Sequence, residues 1–300
     1  NKYLDMMSAY SAVSHGHSHP ELVKVVIDQV QKLSVVSRAF YSKSLGDFLE
    51  HLVNVAGLDV ALPMNTGAEA VETAIKAARK WAYINKGVPQ NKAEIIVVDG
   101  NFHGRTTTIV SFSSDESYRK DFGPLTPGFV QAKYCSSCAC PVGDCVDSIT
   151  SIKNLINENT AAILIEPIQG EAGVIVPDDG YLSNVRNLCT KYNVLLIVDE
   201  VQTGLGRTGK MLATDYENAR PDILILGKAL SGGVIPASAV LANNEIMLCI
   251  KPGEHGSTFG GNPLASAVCM AALKIVVNED LAGNASMLGE KFRSSMKYNH

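Results

Sequence analysis

The chain is 300 residues long, 46% hydrophobic and 19% charged, with 26 basic against 30 acidic side chains and a net charge of −4. Such a length supports a large core, in one big domain or two smaller ones. The slight acidic balance gives no reason to expect nucleic acid or an anionic membrane as a partner, and no apolar run approaches the roughly 18 residues of a membrane span.

The chain opens at Asn1 with no initiator Met, no signal peptide and no transit peptide, and it stops at His300 inside a helical pattern. A longer chain is therefore expected. The first 45 or so residues read as lying outside any central sheet. Within them, "HGHSHP" would place His15, His17 and His19 on one face if extended, which invites a metal. Pro20 at the first position of a following helix favours a plain loop instead, and no metal is expected. The stretch "GAEAVETAIKAARKWAYINKG" (67–87) is an amphipathic helix ending at Gly87. "EIIVVDG" (94–100) is a buried strand without the alternation of a half-exposed one. "SFSSDESYRKDFGPLTPGF" (111–129) is a long irregular connection, of the kind that often carries function. Four of the seven cysteines then crowd into "YCSSCACPVGDCV" (134–146), while Cys189, Cys249 and Cys269 are scattered in apolar contexts. That is not a secreted disulfide framework, so the protein is expected inside the cell, in cytoplasm or mitochondrial matrix. "AAILIEP" (161–167), "NVLLIVDE" (193–200) and "DILILGK" (222–228) are three more buried strands, with a helix over "GYLSNVRNLCTKYN" (180–193) between the first two. Strand and helix alternating in this way predict an α/β fold with a mostly parallel sheet covered by helices on both faces. The expected division is an N-terminal segment, 1–45, a large domain, 46–278, and the start of a second domain, 279–300.

In open sheets of this kind, ligands gather at the carboxyl ends of the strands. Polar residues collect there. Asp199 ends one aliphatic run with Gln202 just beyond, and Lys228 ends another. Thr66 and Gly67 open a helix, whose free backbone N–H groups and dipole make an anion site. Phe102, His103 and Arg105 lie in the glycine-flanked turn "GNFHGRT". The "DE" after a strand also occurs in nucleotide hydrolases, but those need a GxxxxGK[ST] loop, which is absent here. An anion cradle, an aromatic plate, a buried carboxylate and a lysine fit a planar, phosphorylated, heterocyclic aldehyde, namely pyridoxal phosphate. An apolar site would lower the lysine pKa from about 10.4 and free it to attack the aldehyde. A carboxylate against the pyridine nitrogen would make the ring an electron sink.

These motifs resemble the class III pyridoxal-phosphate aminotransferases of fold type I. The match runs over nearly the whole chain, and "VDEVQTGLGRTG", "YENARPDILILGKALSGG" and "KPGEHGSTFGGNPLA" are the most discriminating stretches. The resemblance implies that Lys228 holds the cofactor covalently and that Asp199 pairs with its pyridine nitrogen. It implies that Gln202 bonds the ring hydroxyl, that Phe102 stacks on the ring, and that Thr66, Gly67 and Ala68 cradle the phosphate. His103 would adjoin the ring where animal members carry a Trp. Ser257 and Thr258 would reach the phosphate of the other subunit, making a homodimer with shared sites. Tyr10 and Arg105 would hold the α-carboxylate of ornithine. Glu171 would pair with an arginine beyond His300 and release it when 2-oxoglutarate enters. The implied activity is transfer of the 5-amino group of L-ornithine to 2-oxoglutarate. The alternatives are action on acetylornithine or 4-aminobutyrate, or an inactive dimeric scaffold of the same fold. The aminotransferase reading does not require the four loop cysteines, Cys135, Cys138, Cys140 and Cys145. A C-x-x-C pair with two thiols close behind could bind zinc, could exchange with a cellular thiol–disulfide oxidoreductase, or could be inert. Redox sensitivity is the expectation carried forward against the other two.

Overall fold

The computed structural model describes residues 1–134 and 147–296. The cluster of Cys135, Cys138, Cys140 and Cys145 lies outside them. Seven strands form one sheet: β1 (Val60–Met64), β2 (Glu94–Val98), β3 (Phe129–Ala132), β4 (Thr160–Ile165), β5 (Leu195–Asp199), β6 (Ile223–Leu226) and β7 (Ser238–Ala242), in the order β1-β7-β6-β5-β4-β2-β3. The pairs β3–β2, β2–β4, β4–β5 and β5–β6 are parallel, while β7 runs antiparallel to both of its neighbours. All strands but β7 therefore point the same way, as the expected mostly parallel sheet requires.

Both faces of this sheet are covered, which explains why its strands read as unbroken apolar runs. Every residue of β4 and β5 is buried. On one face Val97, Leu164, Ile197 and Ile225 pack against the Gly67–Trp81 helix through Ala70, Ala74 and Ala78. On the other, Ile96, Ile163, Leu196 and Val198 meet Leu182, Val185 and Cys189 of the Tyr181–Tyr192 helix. Each fully buried aliphatic side chain contributes about 1.5–3 kcal/mol relative to exposure. The alanines let the first helix approach the sheet closely.

Four strands were legible in the sequence and three were not. β1 contains Pro63 and lies at the sheet edge, where a missing N–H is tolerated. β3 has only four residues, and β7 is the short, small-residue run "SAVLA". The helix expected over 67–87 is α-helical to Trp81 and finishes in a π turn, Ala82–Lys86, before Gly87 takes a left-handed conformation. Pro20 opens a helix running to Val30, as the loop-then-helix reading required. The three nearby histidines part company: His15 Nε2 donates to the Ala272 carbonyl at 2.9 Å, His17 meets Asp5 and His19 meets Glu279. No cluster able to hold a metal exists among the described residues.

Candidate active site at the strand ends

Because six strands share a direction, the C-terminal ends of β1, β2, β4, β5 and β6 open on one edge. The residues that follow them meet there. Lys228, Asp199, Phe102, His103, Gly67 and Ala68 line one cavity of about 180 Å³. Lys228 also borders a second cavity of about 350 Å³, with Thr66, Ser231 and Ala12, so it stands between the two.

At the helix start, a capping box satisfies Thr66 and Glu69: the Thr66 hydroxyl accepts the Glu69 amide, and the Glu69 carboxylate accepts the Asn65 and Thr66 amides. The amides of Gly67 and Ala68 have no acceptor among the described residues, and both residues line the cavity. That leaves two donors at the positive end of a helix dipole free for an anion. Ser238 at the start of β7 holds the cap in place, its hydroxyl donating to the Thr66 carbonyl at 2.7 Å.

Lys228 follows Gly227 with a φ of +42°, a left-handed conformation unfavourable for a side-chain-bearing residue. Its Nζ has no hydrogen bond or ion pair among the described residues. Burial lowers its pKa, against the opposing charges of Asp199, Glu171 and Glu166. A half-buried amine with no partner and a depressed pKa is a nucleophile and a base.

Asp199 is 5% exposed. Its Oδ1 accepts the Val201 amide at 3.0 Å, and its Oδ2 accepts His103 Nδ1 at 2.7 Å. Burial works to lower the His103 pKa, but the hydrogen bond and charge of Asp199 win and hold it above the ordinary histidine value. The residue assigned from the motif as a neighbour of the ring is therefore the direct support of the carboxylate. Behind it, Gly104 has a φ of +125°, and a Cβ there would stand 2.8 Å from the Ala68 Cβ. Only glycine lets the His103 turn reach the helix start.

Other motif residues have partners that the sequence did not reveal. Gln202 Nε2 donates to Glu171 Oε1 at 2.9 Å, so the two residues given separate tasks are joined. Glu171, expected to pair with an arginine, thus has Gln202 as its partner among the described residues. Arg105 lays its guanidinium 4.3 Å from the Tyr118 ring and 5.7 Å from that of Phe102, and it lines a different cavity with Tyr118 and Phe122. Tyr10 is 58% exposed in a left-handed turn over Ser8–Ser11, with its ring 5.9 Å from Lys228 Nζ. Tyr10 and Arg105 do not share a cavity. Ser257 Oγ accepts from Asn65 Nδ2 at 2.9 Å, Thr258 is exposed, and neither lines the Lys228 cavities.

Five residues lining this cavity were missed, among them Gly104 and Thr203. Val201 lines the cavity with its side chain against Gly67 and Gly227, where added Cβ atoms would come within 3.3 and 3.4 Å; nothing local marks it. Ile168 also lines the cavity. Glu166 is a buried carboxyl, and its signal was available: like Asp199, it is an acid at the C-terminal end of a buried strand.

Comparison with known proteins agrees with this geometry. The family model described as aminotransferase class-III matches residues 1–299. Ornithine aminotransferase 2 of Staphylococcus aureus is 54% identical over 297 residues, covering 99% of this chain and 72% of its own. An ornithine aminotransferase structure from Toxoplasma gondii, with pyridoxal phosphate at partial occupancy in its active site, superposes with a TM-score of 0.94 at 44% identity, covering 99% of this chain and 68% of its own. The acetylornithine aminotransferase of Elizabethkingia anophelis does so with a TM-score of 0.84 at 49% identity, covering 99% and 69%.

Proposed function

The chain belongs to the class III aminotransferases, and on that premise we propose that it transfers the 5-amino group of L-ornithine to 2-oxoglutarate. The products are glutamate 5-semialdehyde and glutamate, formed in two half-reactions of a ping-pong cycle. The observation that carries the reading is Lys228: a half-buried, strained, unpaired amine facing the Asp199–His103 pair across one cavity.

The residues present fit pyridoxal 5′-phosphate. When bound, it supplies an aldehyde for the lysine amine and a ring that accepts electron density from the substrate carbon. The Gly67 and Ala68 amides would bind the phosphate, with Thr66 fixed beside them by its capping box. Phe102 and Val201 would enclose the ring. Asp199, held by His103 and by the Val201 amide, would offer a fixed carboxylate to the ring nitrogen. Gln202, bonded to Glu171 here, would serve the ring hydroxyl. Lys228, with its pKa lowered by burial, would be the base that takes the proton from the substrate carbon. Tyr10 and Arg105, which line no common cavity here, would have to close together on the α-amino-acid head of ornithine, which acetylornithine carries acylated and 4-aminobutyrate lacks. Glu171 would pair with an arginine and release it when 2-oxoglutarate enters.

We further propose a homodimer in which Ser257 and Thr258 serve the partner's phosphate, inside the cell, with thiol–disulfide exchange at Cys135, Cys138, Cys140 and Cys145 modulating activity. The decisive experiment is a visible absorption band on the purified full-length protein, followed by turnover with ornithine, acetylornithine and 4-aminobutyrate. The band and a preference for ornithine are expected. Without the band the protein is an inactive scaffold; a preference for either other donor reassigns the substrate. Lys228→Ala should lose the band and several orders of magnitude in turnover.

A further inference from the structure

Glu166 has no task in the reaction described above, yet it lines the Lys228 cavity and is only 9% exposed. It follows Ile165 at the end of β4. The register that sets Ile165 beside Val198 continues to set Glu166 beside Asp199 at the end of β5. Two acids thus end neighbouring strands, whose spacing is about 4.8 Å.

The Glu166 carboxylate is used on both oxygens. Oε2 accepts the Phe102 amide at 2.9 Å, and Oε1 accepts the Gly170 amide at 3.4 Å. These amides belong to different segments. The first carries Phe102, His103 and Arg105 after β2. The second is the turn that carries Glu171, pinned at its base by the Gln169–Ile175 bridge. Among the described residues Glu166 has no ion-pair partner. The charged groups facing it are His103 from the first segment, Asp199 from β5 and Lys228 from beyond β6. Only an ionised carboxylate accepts freely on both oxygens; a neutral acid turns one of them into a donor.

We propose that Glu166 is a positioning residue: its carboxylate ties the loop bearing the aromatic plate and His103 to the turn bearing Glu171, and a proton taken up there loosens the tie and the hold on pyridoxal phosphate. The proposal rests on the cofactor reading above. Burial pushes the carboxyl up to about 7, with His103 opposing and Asp199 adding to the rise. The tie is closed above that value and opens as the pH falls through it.

The test is titration of the full-length apoprotein with pyridoxal 5′-phosphate across about pH 5.5 to 8.5, for wild type, Glu166→Gln and Glu166→Asp. Lys228 also titrates on binding, and the Glu166 charge raises its pKa, so the Lys228 contribution is measured in each protein and subtracted. With that removed, wild type should weaken about tenfold as the pH falls through the neutral range. Glu166→Gln, whose amide accepts on one oxygen only, should bind about tenfold more weakly at high pH and lack the step. Glu166→Asp should restore the step without restoring full affinity. A Glu166→Gln curve that superimposes on wild type, or that is displaced uniformly with the step intact, overturns the proposal. No binding by wild type overturns the cofactor reading itself, and is distinguished by that.

Discussion

His103 and His255 both commit Nδ1 to a charged neighbour, and their contacts titrate in opposite senses. His103 Nδ1 donates to Asp199 Oδ2 at 2.7 Å in a fully enclosed site. His255 lies in the loop before Ser257 and packs on the outer face of the Gly67–Trp81 helix. The Thr73 hydroxyl gives its proton to the Glu69 carbonyl at 2.7 Å, so it must accept from His255 Nε2 at 2.9 Å. His255 Nδ1 is then the unprotonated nitrogen, and it accepts from Lys76 Nζ at 2.8 Å. Burial and then the Lys76 charge lower the His255 pKa, whereas Asp199 overrides burial and raises that of His103. The lesson is that burial alone does not decide a histidine's state; the sign of the charge at hydrogen-bond distance does.

The pH windows follow. His103 has a folded pKa above the ordinary histidine value of 6.5, so its contribution is fully present below 6.5 and is lost as pH rises through the folded value. His255 has a folded pKa below 6.5, so protonation opposes folding, and its latch on the helix is lost as pH falls below that ordinary value.

Removing the anion from the buried pair should have the largest effect. Asp199→Ala strips His103 of its counter-charge and the cavity of its carboxylate, an interaction worth about 3–5 kcal/mol when broken from one side. Turnover should fall by more than a hundredfold and the His103 pKa should drop below the ordinary value. A loss of less than about tenfold, or about 1.4 kcal/mol, would remove Asp199 from the reaction. His103→Phe keeps the ring volume but deletes the donor. It should cost about tenfold in kcat/KM, on the scale of one charge-assisted hydrogen bond; unchanged kinetics would make the pair structural only. Lys76→Met is the smallest perturbation. It should raise the His255 pKa, read by NMR titration, while His103 stays where it is and turnover changes less than about twofold, since the contact is at the surface. A His255 pKa that failed to rise would assign the whole depression to burial.

Much of the site was legible because its chemistry sits directly after buried strands. Apolar runs that end on Asp199 and Lys228, and a helix that opens on Thr66 and Gly67, carry their meaning within about ten residues of sequence. Glu166 obeys the same rule, closing the buried β4 run just before Pro167 and the "QGEAG" turn. The remaining strands were harder: the edge strand β1 holds a proline, the edge strand β3 has only four residues, and β7, inside the sheet, is built mostly of small residues.

By itself the sequence determined which segments are buried strands, which helix offers free amides, and which side chains stand at the strand ends, since periodicity, caps and apolar runs are local properties. Tertiary structure alone decided the pairings. His103 lies 96 residues from Asp199, Phe102 lies 64 from Glu166, and Gln202 lies 31 from Glu171. Each contact exists because parallel strands bring distant chain ends to one edge, and the charge found there then sets whether a buried group keeps or loses its proton.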